Sequence, residues 1–139
     1  MKIKTLVAVL LLSGGVTSTF AQSDCNANSS ISHEAVRAKN YKDAYAPCMA
    51  VLKDCPTLRY YTYTDAQKIL VGLMSQIKDR NSAEYKKLFD ELMTVHDQKM
   101  KYIPEFATKM KGVPSVASAL GTKAVDYLQY APAPDVNQA

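Results

Sequence analysis

Apolar side chains return every three or four positions over most of this chain, the spacing that puts them on one buried face of an α-helix. Five such stretches are predicted. The first, Ile31 to Lys39, follows Ser29 and Ser30, which are able to cap a helix, and ends near Asn40. The second carries Tyr41, Ala44, Tyr45, Cys48, Val51, Leu52 and Cys55 on one face and stops at Pro56. Pro47 falls in its early turns, where a kink is expected. Tyr63, Ala66, Leu70, Leu73 and Ile77 form a third stripe, closed by Lys78-Asp79-Arg80-Asn81. Asn81 with Glu84 three residues on resembles a capping box and opens the fourth and longest helix, with Tyr85, Leu88, Leu92, Val95 and Lys99 facing inward. Pro104, Gly112 and Pro114 predict a loop, after which Ser115 opens a fifth helix through Leu120, Ala124 and Tyr127. No stretch alternates as a strand does. Arg59 to Thr64 comes nearest, but it is short and has no partner, and it reads as a turn into the third helix. The expected class is all-α, with antiparallel helical hairpins stacked on one another.

The amino terminus breaks this pattern. Lys2 and Lys4 precede an apolar run from Leu6 to Leu12, Gly14-Gly15 interrupts it, and Thr19-Phe20-Ala21 closes the segment. That order is a three-part secretory signal, so residues 1–21 are expected to be removed, leaving residues 22–139 as one helical domain. Seven apolar residues cannot cross a hydrocarbon core of about 30 Å, and no transmembrane segment is expected after cleavage. Cys25 follows Gln22-Ser23-Asp24, which does not suit a lipoprotein signal. The expected location is the periplasm or the exterior.

Composition changes the picture little. The 139 residues, 47% hydrophobic and 22% charged, are ordinary globular material for one domain. Loss of two leader lysines from 17 basic residues leaves 15 against 13 acidic ones, a net charge of +2. So small an imbalance argues against nucleic acid as a partner.

Export places Cys25, Cys48 and Cys55 where disulfides persist. On one helix Cys48 and Cys55 would stand about 10 Å apart, beyond disulfide reach of about 7 Å. Cys25, in a lead segment before the first helix, can approach either of the others. Cys55 sits at a helix end where the backbone can adjust, so Cys25 to Cys55 is the expected bridge and Cys48 a small core hydrophobe.

From Ser30 to Thr64 the first two helix pairs repeat at 34 residues, the period of a tetratricopeptide repeat. Tyr41, Ala44, Cys48, Val51 and Pro56 follow that repeat's second-helix order, although Lys39 replaces a glycine, Cys48 an aromatic residue and Val51 an alanine. The third pair opens at Ser115, 51 residues after Thr64, so the array is degenerate. The segment Lys39 to Pro47, the Asp54-Cys55-Pro56 stop, the early cysteine and the cluster Tyr60, Tyr61 and Tyr63 resemble secreted tetratricopeptide-repeat-like proteins of Bacteroides-type gut bacteria. The resemblance implies a short degenerate solenoid of the tetratricopeptide type, exported beyond the inner membrane, with a disulfide from the lead segment to the end of the second helix. It implies no activity. Asp135-Val136-Asn137-Gln138 looks like a helix start, so a carboxy-terminal truncation is expected, with the apolar face of the fifth helix partly bare.

Catalytic chemistry is hard to place. His33 and His96 have no ligand neighbour at helical reach, so no metal is expected, nor any other cofactor. No phosphate loop or nucleophile elbow occurs, and Asp90, Glu91 and Asp97 read as solvated ion-pair residues beside Lys86, Lys87 and Lys101. The chain is not expected to be an enzyme. Tyr60, Tyr61 and Tyr63 are the candidate partner contacts, because tyrosine offers large area with a polar tip; packing between hairpins is the competing use. The expected function is a protein or peptide interaction module or scaffold of the cell envelope, with a glycan- or small-ligand-binding accessory as the alternative.

Overall fold

The computed structural model describes residues 17–135 and 137, and everything described is helix or connection, with no strand. The helices are α1 Thr17–Arg37, α2 Tyr41–Asp54, α3 Tyr61–Met74, α4 Ala83–Lys109 and α5 Val116–Tyr130. Each packs against the next in the chain, and α1 also touches α3. Among the described residues no helix is long and apolar enough to cross a membrane. Most of the expected leader and the last residues of the tail, Val136, Gln138 and Ala139, lie outside the described residues.

The first helix departs most from expectation. It starts 14 residues before Ile31, so Ser29 and Ser30 are interior positions and not caps. Its buried face is Cys25, Ser29, Ser32 and Val36, spaced four, three and four apart. Three of these four residues are small, so α1 lies close to its neighbours. The buried serines remain hydrogen-bonded: Ser32 Oγ donates to the Ser29 carbonyl at 3.2 Å, and Ser29 Oγ accepts from Arg59 at 3.4 Å. Helix α1 closes in a left-handed turn. Lys39 takes φ +57°, and the Asn40 and Lys39 amides donate to the Ala35 and Val36 carbonyls, the two bonds of a Schellman motif. Asn40 then caps α2, accepting from the Asp43 amide.

Cys25 and Cys55 are joined, with S–S 2.14 Å and Cα–Cα 6.3 Å. Cys25 reaches Cys55 as a buried residue of a helix, not from a loose lead segment. Cys48 stays free and buried.

Helix α2 continues through Pro47, and the turn expected over Arg59 to Thr64 is shorter than that, since α3 already begins at Tyr61. Gly72 lets α2 and α3 approach, since a Cβ there would run into the Tyr41 ring. Ser82, one residue past the expected Asn81, caps α4 by accepting from the Tyr85 amide. The predicted inward face of α4 is buried from Tyr85 to Lys99. The predicted loop at Pro104 is instead helix: its ring points to solvent while Ile103 and Phe106 on either side are buried, and their packing outweighs the lost hydrogen bond. The loop follows at Met110, with Gly112 at φ +81°, and Ser115 caps α5 by accepting from the Ser118 amide. The core sits mainly between α2, α3 and α4, around Cys48, Tyr63, Ile69, Leu70 and Leu92.

Candidate functional site

The three candidate tyrosines separate. Tyr63 has no exposed surface, packs edge-on against Phe106 at 6.0 Å and donates its hydroxyl to the Pro56 carbonyl at 2.8 Å. It packs α3 against α4 and is sealed from solvent. Tyr60 and Tyr61 are half-buried and line an open groove of about 370 Å³ between the start of α3 and the end of α4. Leu58, Phe106 and Met110 complete its apolar lining, with Arg59 and Lys109 also on its wall. Tyr60 stands edge-on to Phe106 at 5.5 Å, and burial holds its hydroxyl above the usual tyrosine range.

Arg59 organises the other side. Its Nη1 donates to Tyr61 Oη at 2.6 Å and to Ser29 Oγ at 3.4 Å, and its Nη2 donates to Asn26 Oδ1 at 3.3 Å. The guanidinium carbon lies 5.7 Å from the Tyr61 ring centre, and the His33 ring lies tilted against Tyr61 at 4.6 Å. Lys109 is paired with Glu105, whose carboxyl is held below its usual range mainly by that hydrogen bond.

Both histidines meet carboxylates brought from another helix. His33 Nδ1 lies 2.7 Å from Asp65 Oδ2, tying α1 to α3 across a buried carboxylate. His96, with no exposed surface, accepts at Nδ1 from Gln67 Nε2 at 3.1 Å and pairs through Nε2 with Asp126 Oδ2 at 2.8 Å. Both ring nitrogens of His96 are thereby engaged. Lys99 lies buried nearby; desolvation lowers its ammonium, opposed by the Asp126 charge. Among the described residues no three His, Cys, Asp or Glu side chains are arranged to hold a metal ion.

Cys48 is not poised for nucleophilic work. Burial first, and the Asp65 charge second, push its thiol up to about 12 against the opposing effect of Ser32. Its Sγ lies 3.6 Å from the Thr62 carbonyl. Tyr45 bridges α2 to α4, donating to Glu91 at 2.7 to 2.8 Å, and burial together with Glu91 raises it to about 12.

A second surface stands out on α5. Val116, Leu120, Val125 and Leu128 are exposed, Leu120 to 55% and Val125 to 60%. Gly121 lies among them with open space where a Cβ would stand. The two charged residues of α5, Lys123 and Asp126, are both drawn to α4 by Asp97 and His96. The exposed side of α5 is therefore uncharged and largely apolar, with Ser118, Thr122 and Gln129 its exposed polar residues.

The site residues that sequence reasoning missed are Arg59, Asp65, Gln67 and Asp126. Each acquires meaning only when helix packing brings it to a residue about 30 positions away, and no local spacing encodes that. No protein-family model, curated protein or solved structure matches this chain.

Proposed function

We propose that this chain is an exported helical-repeat protein that acts as a protein or peptide interaction module or scaffold of the cell envelope. The observation that carries the reading is the outward face of α5, where four large apolar side chains stay in water. Contiguous apolar surface of this kind marks association sites on proteins that are otherwise well packed. A stack of helical hairpins accounts for it, because each unit buries its inner face on the preceding one and leaves its outer face for whatever comes next. Sequential packing of the helices, the contact of α1 with α3 and the resemblance to secreted tetratricopeptide-repeat-like proteins support the same picture. The Cys25–Cys55 bridge supports export, since disulfides persist in oxidising compartments.

The test is site-specific photo-cross-linking in intact cells, with a benzophenone side chain at Leu120. Discrete adducts that disappear when Leu128 is changed to lysine are the expected result. Recovery of only the unlinked chain, from a folded and exported sample, would remove the reading.

A second reading, a glycan- or small-ligand-binding accessory, draws on the groove at Tyr60 and Tyr61, whose volume of about 370 Å³ suits a small ligand. Silence on a glycan array would count against it.

A further inference from the structure

We propose that the groove between the start of α3 and the end of α4 takes the carboxyl terminus of a peptide whose last side chain is apolar. The proposal rests on the interaction reading above and gives one of its surfaces a ligand chemistry. Three observations meet at this groove.

The first is the state of Arg59. Its hydrogen-bond acceptors are Asn26 Oδ1, Ser29 Oγ and Tyr61 Oη, all neutral, so among the described residues the guanidinium charge is held in place without a carboxylate. The geometry of the fork matters as much as the charge. These bonds run from Nη1 and Nη2, which leaves Nε–H without a partner among the described residues. That side of the guanidinium is able to give a carboxylate a charge-assisted hydrogen bond. Because α1 and Tyr61 already fix the side chain, little rotamer freedom remains to be lost on binding.

The second is charge balance. The groove's other cation, Lys109, is paired with Glu105, so Arg59 supplies the uncompensated charge.

The third is the lining. Leu58, Tyr60, Phe106 and Met110 give an apolar wall beside the cation. A ligand that fits must carry an anion within one side-chain length of an apolar group. A peptide carboxyl terminus ending in leucine or phenylalanine has this arrangement, and backbone-terminal carboxylates are a recurring recognition element. A sugar acid shares the carboxylate but has a hydroxylated body that would leave this wall poorly covered.

The experiment is a ¹H–¹⁵N NMR titration of the whole mature chain with N-acetyl-Leu-Phe as the free acid, with the same dipeptide as its carboxyl amide, and with glucuronic acid. The free acid is expected to move the Arg59 Nε–H resonance and the amides of Tyr60, Tyr61 and Met110 along a saturable curve. The amide is expected to bind about tenfold more weakly, the loss of one charge-assisted contact. Arg59→Gln should abolish the difference between acid and amide, and Arg59→Lys, which keeps the charge and loses the fork, should recover only part of it. Tyr60→Ala, which leaves the Arg59 anchorage intact, should weaken acid and amide together.

Equal binding of acid and amide in the groove overturns the carboxylate assignment while leaving the interaction reading standing. Absence of saturable shifts with the free acid also overturns it, and α5 cross-linking then decides the broader reading by itself. Glucuronic acid saturating the same resonances as well as the dipeptide overturns the peptide assignment.

Discussion

The two ends of the helical stack are built by different means. Around α2 and α3, Ala44, Cys48, Tyr63, Ala66, Ile69 and Leu70 have no exposed surface, and α1 is fastened to the end of α2 by a disulfide. In α5 only Ala119 is buried. Its inner side packs Tyr127 against Phe89 at 5.9 Å, with Tyr130 also against the core, and polar ties do much of the rest: His96 to Asp126, Lys123 to Asp97, Arg80 to the Gln129 carbonyl at 3.0 Å and Tyr85 to the Tyr130 carbonyl at 2.8 Å. Apolar burial supplies stability roughly in proportion to area, whereas each hydrogen bond nets only about 1 kcal/mol. A helix attached by the second means keeps its apolar residues available to something else. The difference between the ends is a difference of exposure, a closed body and an edge whose apolar side chains stay in water.

That contrast can be broken most forcefully at the disulfide. Replacing Cys25 and Cys55 together with serine frees a 30-residue separation and should lower stability by about 3 to 4 kcal/mol in denaturant unfolding. A change below about 1 kcal/mol would mean the α1 end does not depend on its covalent tie.

At the opposite end, Asp126→Ala strands the buried His96 Nε2 and should cost about 2 kcal/mol. The loss should appear as loosening of α5 in circular dichroism and proteolysis, with Tyr63 and Leu70 resonances unmoved. Unfolding of the whole chain in one step with α1 to α3 would erase the distinction between body and edge.

Alkaline pH probes the body again. Cys48, pushed up to about 12 in the folded chain from an ordinary value of 9.0, stays neutral there while the unfolded thiol ionises. Its stabilising contribution is thus complete below about pH 9 and falls as pH rises toward 12, at about 1.4 kcal/mol per pH unit. Cys48→Ala should flatten that limb of the stability curve. The smallest effect expected is a gain. Lys39→Gly removes left-handed strain at φ +57° and should add about 1 kcal/mol, read as a rise in melting temperature.

Legibility in the sequence followed the same division. The inward faces of α2, α3 and α4 could be read from spacing because large apolar residues recur there: Tyr41 to Leu52, Tyr63 to Leu70 and Tyr85 to Val95. Helix α1 could not be read in full. Its buried positions carry Ser29 and Ser32, and serine beside a helical pattern signals a cap unless a distant Arg59 is known to satisfy it. Pro104 misled for a related reason, since the burial of Ile103 and Phe106 that outweighs the ring is a tertiary fact. The tyrosine cluster was visible as a cluster, but which ring would be sealed and which would line a groove depended on the register of Phe106 against α3. The His33–Asp65 and His96–Asp126 pairs left no trace in local spacing, because each joins residues about 30 positions apart.

Residue-resolved native-state hydrogen exchange tests the contrast most directly. Amides of Ile69 and Leu70 should exchange only with global unfolding, while those from Leu120 to Leu128 should open at least tenfold more readily and without denaturant sensitivity of the global kind. A single protection level shared by α3 and α5 would contradict the division into a closed body and a less buried edge helix.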